Sequence, residues 1–167
     1  MNEFVFHRIT SIGALDDCIL CAQFEEGVIK TYDIKKLFHK VPAFRVFETK
    51  PELFFSVHVD TGGYGIVWNN ELDLDSNEIW HNGQTENSPF NNLISFGTAT
   101  SQWGLSESTL RKAISYRKLI PGRDCCKFGK QWVITREAML REYGQPQIPT
   151  DKNHLSAAEK EYPYSNS

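Results

Sequence analysis

The chain has 167 residues and a formal net charge of -3, with 40% hydrophobic and 13% aromatic residues. That apolar content can build a packed core, which excludes a charge-rich disordered chain, and the length allows one ordinary domain or two small ones. No apolar run approaches the roughly 18 residues of a membrane span, and "MNEFVFHRITSIG" lacks the basic-then-apolar pattern of a secretory leader, so a cytoplasmic protein is expected.

From residue 4 to about 34 the pattern is β-like. "DDCILCAQFEEGVIKTYDI" sets Val/Ile/Phe-rich strands on either side of "EEG", a hairpin signal. Cys18 and Cys21 in its "CILC" have no matching second pair, and Cys125 and Cys126 are adjacent, a poor arrangement for a tetrahedral metal. Reduced, partly buried thiols are expected, with no metal. "IKKLF", 34–38, reads as an amphipathic turn or short helix, and "KPELFF", 50–55, as a second turn with Pro51 near its start. A further hairpin follows, in which "SVHVD" and "YGIVW" flank "TGG", and "DLDSNEIWHNG" supplies a short helix ended by Gly83.

Residues 84–92, "QTENSPFNN", lose periodicity and read as a linker. After it, Thr98 is placed as the cap of a short helix running through Trp103, with Gly104 in the left-handed conformation that ends it. Ser106 caps a second helix over 107–116. Leu110, Ala113 and Ile114 give that helix an apolar face, and Leu105 plugs the junction between the two helices. The opposite face holds Glu107, Ser108, Arg111, Lys112 and Ser115. Two helices joined by a Gly turn, the second with a polar and basic face, match a helix-turn-helix. "KLIPGRDCCKFGKQWVIT" then reads as a loop, a strand, a turn at "FGK" and the strand "QWVIT". "REAMLREYG" forms a third helix. Trp103 and Trp132 are expected in this module's core, and Phe128 is expected to pack back onto the domain rather than act as a wedge. The polar, Pro-containing tail 145–167 is expected to be mobile.

The stretches "DDCILCAQFEEGVIKTYDIKKLF" and "FFSVHVDTGGYGIVWNNELDLDSNEIW" resemble the bacterial domain-of-unknown-function 2442 family, over about half the chain. The resemblance implies a compact α+β domain without an agreed activity, found alone, fused to DNA-binding domains, or encoded near toxin-like proteins. "WGLSESTLRKAI", "LIPG", "FGKQWVI" and "TREAM" are similar to the winged helix-turn-helix modules of excisionases and MerR-type regulators. The fold class expected is α+β. A small domain of antiparallel β-hairpins with short helices at 1–83 precedes a mostly helical winged helix-turn-helix domain at 93–144.

Charge follows the same division. Residues 1–95 hold 7 Lys/Arg against 14 Asp/Glu, and residues 96–144 hold 9 against 4. Clustered Lys/Arg neutralise phosphates and release condensed counterions, so duplex DNA is the expected partner of the basic part. The candidate DNA-binding residues are Ser106, Ser108, Thr109, Arg111, Lys112, Ser115, Arg117, Lys118, Arg123, Lys127 and Lys130. Arg111 is the candidate guanine reader, because a guanidinium fork can meet O6 and N7 together. In the acidic half, His58, Asp60, His81 and the carboxylates of 71–78 form no nucleophile–base pair, phosphate loop or metal triad, so no catalysis and no cofactor are expected. The function expected is sequence-specific DNA binding in transcriptional control, with an antitoxin-like autoregulator as the family's habit implies. A homodimer held through 1–83 is expected, since one helix-turn-helix reads too few base pairs to specify a site, and a toxin or another protein partner is the other role open to the same domain. The alternatives are a protein-interaction adaptor whose helix-turn-helix does not bind DNA, and an enzyme or metal protein built on the N-terminal domain.

Overall fold

Alternating apolar residues build the first sheet. In the computed structural model, which describes residues 5–147, strands β1 (Ile9–Leu15), β2 (Ile19–Phe24) and β3 (Ile29–Asp33) pair antiparallel in succession. Leu20, Ala22 and Phe24 fall on the buried face of β2, as a period of two requires. A short 3-10 turn at Ile34–Leu37 follows, with the Asp33 side chain accepting from the Lys35 amide. The chain then makes another 3-10 turn at Pro42–Arg45 and two single-turn helices, α1 (Val46–Thr49) and α2 (Pro51–Phe54). Only the last of these was expected from sequence, because the segment 42–49 has no periodic run long enough to register. Its role is to deliver rings: Phe44, Phe47 and Phe54 gather around Trp68, whose indole N–H donates to the Phe54 carbonyl at 3.0 Å.

A second sheet contains β4 (His58–Val59), β5 (Gly65–Asn69) and β6 (Leu72–Asp75) in that order, all antiparallel. Strand β6 is a correction to the sequence reading, which ran "DLDSNEIWHNG" together as a short helix. Alternation instead buries Leu72 and Leu74 and leaves Asp73 outside, while Asp75 caps helix α3 (Ser76–Asn82) by accepting from the Asn77 amide. Helix α3 ends at Gly83 as expected, but with extended rather than left-handed backbone. Glycine is needed there for space, since a Cβ would lie 2.5 Å from the Ile79 carbonyl oxygen and 2.9 Å from that of Thr31. The Lys30 ammonium sits over the Trp80 ring and donates to the Trp80 carbonyl, occupying one of the acceptors that a helix end leaves open. Gln84 and Thr85 are not linker: as β7 (Gln84–Thr85) they pair with β3 and complete a four-stranded sheet, β1-β2-β3-β7.

The described residues divide into two compact units. The first takes 5–24 and 29–88, and the second takes 25–28 and 89–147. The second is built on a three-stranded antiparallel sheet in which β10 (Gln131–Thr135) lies between β8 (Leu93–Ser95) and β9 (Cys125–Phe128). Helices α4 (Phe96–Trp103) and α6 (Arg136–Tyr143) pack against β10, and α5 (Glu107–Ser115) packs on α4. Its core holds Ile94, Phe96, Ala99, Trp103, Leu110, Leu119, Ile134 and Met139. The hairpin, the turn and the third helix lie where the sequence put them. Strand β8 was not foreseen, and it moves the first cap: Ser95, not Thr98, accepts from the Thr98 amide and opens α4 a turn earlier. The expected tail at 145–167 lies, beyond 147, outside the described residues. The whole is α+β, with an antiparallel β-rich first unit and a mostly helical second.

Candidate nucleic-acid interface

Two helices meet at a three-residue corner. Gly104 ends α4 at φ 64°, ψ 35°, and both its own amide and that of Leu105 return to the Thr100 carbonyl. A left-handed residue at this position is the ordinary glycine end of a helix. Ser106 then caps α5 by accepting from the Thr109 amide, and its hydroxyl also meets those of Ser108 and Thr109 at 2.8 and 3.0 Å. Ala99 and Trp103 of α4, with Leu110 and Ala113 of α5, are buried, and Leu105 and Ile114 pack beside them. Trp103 donates its indole N–H to the Gly144 carbonyl, and Trp132 stacks on Phe96 with ring centres 5.5 Å apart. Both tryptophans are therefore core residues.

The expected outer face of α5 is outside. Ser108, Arg111, Lys112 and Ser115 are exposed, as are Ser106 at the cap and Glu107. Thr109 is half-buried and its hydroxyl is engaged at the cap. Arg111 donates to Glu107 at 3.2 Å, an exposed pair one helical turn apart, so base contact requires an exchange of partners. Ser115 bonds back to the Arg111 carbonyl.

The loop after α5 is held by a signal absent from the sequence pattern. Arg117 has φ 61°, and the Lys118 amide reaches back to the Ala113 carbonyl at 2.9 Å. This is a left-handed helix end with arginine where glycine is usual, at a cost of about 1 kcal/mol. The geometry turns the chain so that Leu119 is fully buried while Arg117 and Lys118 stay exposed.

Arg123 behaves differently from the other candidates. Its guanidinium grips the Asp124 carboxylate with two bonds, at 3.1 and 3.0 Å. Asp124 is 2% exposed and also accepts from Arg141 and from the Ile120 amide, at 2.8 Å for the latter. The hydrogen bond from Arg123, joined by those from Arg141 and the Ile120 amide, outweighs burial and holds this carboxyl well below the usual carboxylate range. Asp124 thus locks the loop between α5 and β9 to helix α6. Sequence reasoning missed it, because its second arginine lies 17 positions away and no local spacing announces the pair.

Lys127 and Lys130 are exposed on the hairpin. Phe128 does not pack back onto the domain; it is 64% exposed. Cys125 is buried and Cys126 exposed, both as free thiols, and burial pushes the Cys125 thiol up. In the first unit, His58, Asp60 and His81 are all exposed, and Asp60 caps its own turn by accepting from the Thr61 amide.

Among the described residues, then, Lys112, Arg117, Lys118, Lys127 and Lys130 are exposed and none is paired with a carboxylate. They lie on α5, on the loop that follows it, and on the hairpin. A capped two-helix corner, a basic outer helix, a hairpin and a third helix define a helix-turn-helix module. Comparison with known families agrees. Residues 9–85 match the family described as Protein of unknown function (DUF2442), and residues 85–148 match a helix-turn-helix domain family. The two matches follow one another along the chain, the first over the α+β unit's strands and the second over the two-helix corner, hairpin and third helix. No curated protein matches it. Among solved structures, the crystal structure of "Putative DNA Binding Protein NE0471" from Nitrosomonas europaea is similar at 20% identity. That match covers 73% of this chain and 84% of that one, with a TM-score of 0.40. Among the described residues no helix is long and apolar enough to cross a membrane.

Proposed function

We propose that this chain binds duplex DNA sequence-specifically, as a transcriptional regulator and not as an enzyme. Helix α5 is the reading element and the β9–β10 hairpin is a wing. The observation that carries this reading is the group of five exposed cations without carboxylate partners on α5, its following loop and the hairpin. Lysines and arginines left unpaired in a module with so many apolar contacts are free to displace counterions from phosphates. Arg111 and Ser108 sit on the outer face of α5, where base edges would be met, and Arg111 would give up Glu107 for guanine. Arg123, already bound to Asp124, is a loop-holding residue in this reading rather than a phosphate contact.

The regulator acts as a homodimer through its first unit, in which β1 is an edge strand able to pair across a two-fold axis. An antitoxin-like autoregulatory role is the biological form that this pairing of domains suggests. Titration of the full chain against mixed-sequence duplex at rising salt tests the proposal. Affinity should fall steeply, with a log–log slope of about -0.9 for each phosphate neutralised. Absence of binding at low salt would leave the adaptor reading in its place, and a monomer by sedimentation at binding concentrations would remove the dimer.

A further inference from the structure

The β9–β10 hairpin separates its side chains by register. Lys127 faces Trp132 and Cys125 faces Ile134, while Phe128 faces Gln131 and Cys126 faces Val133. Cross-strand partners share a face and neighbours along a strand alternate. Cys125, Trp132 and Ile134 belong to the core cluster, so theirs is the inner face. Phe128 belongs to the outer one. A one-residue slip would be needed to bring it inside, and that would expel Ile134. No other aromatic ring lies against Phe128 among the described residues, and 64% of it is exposed.

The tip that carries it is narrow and open. The chain reverses at Gly129 and Lys130, Gly129 has φ 60°, and nothing lies within 4 Å of the position a Cβ would take there. An apolar ring therefore stands on the outer face of the hairpin, beside a two-residue turn that carries the exposed, unpaired Lys130, while the exposed Lys127 lies with Trp132 on the opposite face. Lysine is depleted from the centres of protein–protein interfaces, where its charge would have to be desolvated. A duplex offers the complementary arrangement: stacked apolar faces between two rows of phosphates. We propose that Phe128 is a wedge that enters the minor groove and unstacks one base step, while Lys130 at the turn holds a flanking phosphate. The bend this produces favours pyrimidine–purine steps, which unstack most readily, over stiff A-tracts. The hairpin thus reads deformability, a contribution to specificity separate from base contacts made by α5.

This inference rests on the DNA-binding reading, and the experiment separates the two. The full-length chain is titrated at low salt onto a duplex of repeated TA steps carrying 2-aminopurine, and onto an A-tract duplex carrying the same reporter. The expected result is binding to both, with 2-aminopurine fluorescence rising on the TA duplex and much less on the A-tract. Phe128→Ser should lose the rise while keeping most of the affinity, its salt slope and its melting temperature. Phe128→Leu, still an apolar wedge, should keep the rise. Lys130→Ala should weaken binding but reach the same fluorescence at saturation. Binding by the natural chain without a rise, or an equal rise with Phe128→Ser, overturns the wedge alone. Absence of binding to either duplex overturns the DNA reading and the wedge with it.

Discussion

The two units solve the problem of a small core by different chemistry. In the first, rings do most of the filling: Phe44, Phe47, Phe54 and Trp68 crowd together, delivered by turns and single-turn helices too short to be stable alone. Its carboxylates are largely spent locally, with Asp33, Asp60 and Asp75 each capping the turn that follows it. The second unit has longer helices around one central strand, and it adds a buried carboxylate, Asp124, that ties two arginines and a loop amide together. Of its remaining cations, Arg136 donates to Gln102 and lies over Trp103, Arg111 pairs with Glu107, and Lys112, Arg117, Lys118, Lys127 and Lys130 stay exposed without a carboxylate partner. The contrast teaches that acidic charge in the first unit serves local structure, whereas basic charge in the second is divided. Arg123 and Arg141 hold the scaffold, and the lysines, with Arg117, are left available to a partner.

The strongest way to break this comparison is to remove a ring. Trp68→Ala should cost the first unit about 4 kcal/mol, in the range for deleting a large buried aromatic, since Trp68 is 5% exposed and donates to the Phe54 carbonyl. Chemical denaturation followed by Trp and Tyr signals of the first unit measures it. A loss no larger than that of an exposed substitution such as Phe55→Ala would mean that the ring cluster does not hold the fold.

Next comes the buried carboxylate. Asp124→Ala should destabilise the second unit by about 3 kcal/mol, because two guanidinium groups and an amide lose their acceptor. The pH dependence has a definite sign. The folded carboxyl ionises at lower pH than the ordinary value of 3.8, so its contribution is complete above that value and is lost as pH falls below it toward the folded pKa. Acid unfolding of the second unit should steepen below about pH 4 in the natural chain. Asp124→Asn should flatten that limb, and an unaltered acid limb would show that some other carboxylate sets it.

A smaller effect separates scaffold from interface. Arg111→Ala should cost about 2 kcal/mol of discrimination at one base pair, whereas Lys130→Ala should weaken binding to all sequences alike. Selection from a random duplex pool with each variant distinguishes the two. Unchanged preference in Arg111→Ala would leave that arginine as the helix-surface partner of Glu107 and nothing more.

The smallest effect carries two signs. Arg117→Gly relieves a left-handed arginine and should stabilise the second unit by up to about 1 kcal/mol. The same change removes an exposed cation of the proposed DNA face, so DNA affinity should fall and the salt slope become shallower by about 1. Stabilisation without loss of affinity would show that the strain serves the loop and not the partner.

The two-helix corner was legible in the sequence because its determinants are local. Gly104, the cap Ser106, and the spacing of Leu110, Ala113 and Ile114 act within a turn or two of chain, and the outer face of α5 follows from the same period. The β2–β3 hairpin was legible for the same reason, since alternation and a Gly-containing turn are near-neighbour patterns. What needed tertiary structure is what depends on distant partners. Gln84 and Thr85 become a strand only because β3 offers a free edge, and β8 forms only beside β10, so neither could be recognised from its own short segment. The meeting of Asp124 with Arg141, the left-handed turn at Arg117 and the outward direction of Phe128 were likewise set by packing. A side chain's period says which residues share a face, but only the assembled core decides which face is inside. The sequence thus determined the class of module and the residue types it could present. The fold decided which of those cations were spent on structure and which were left free.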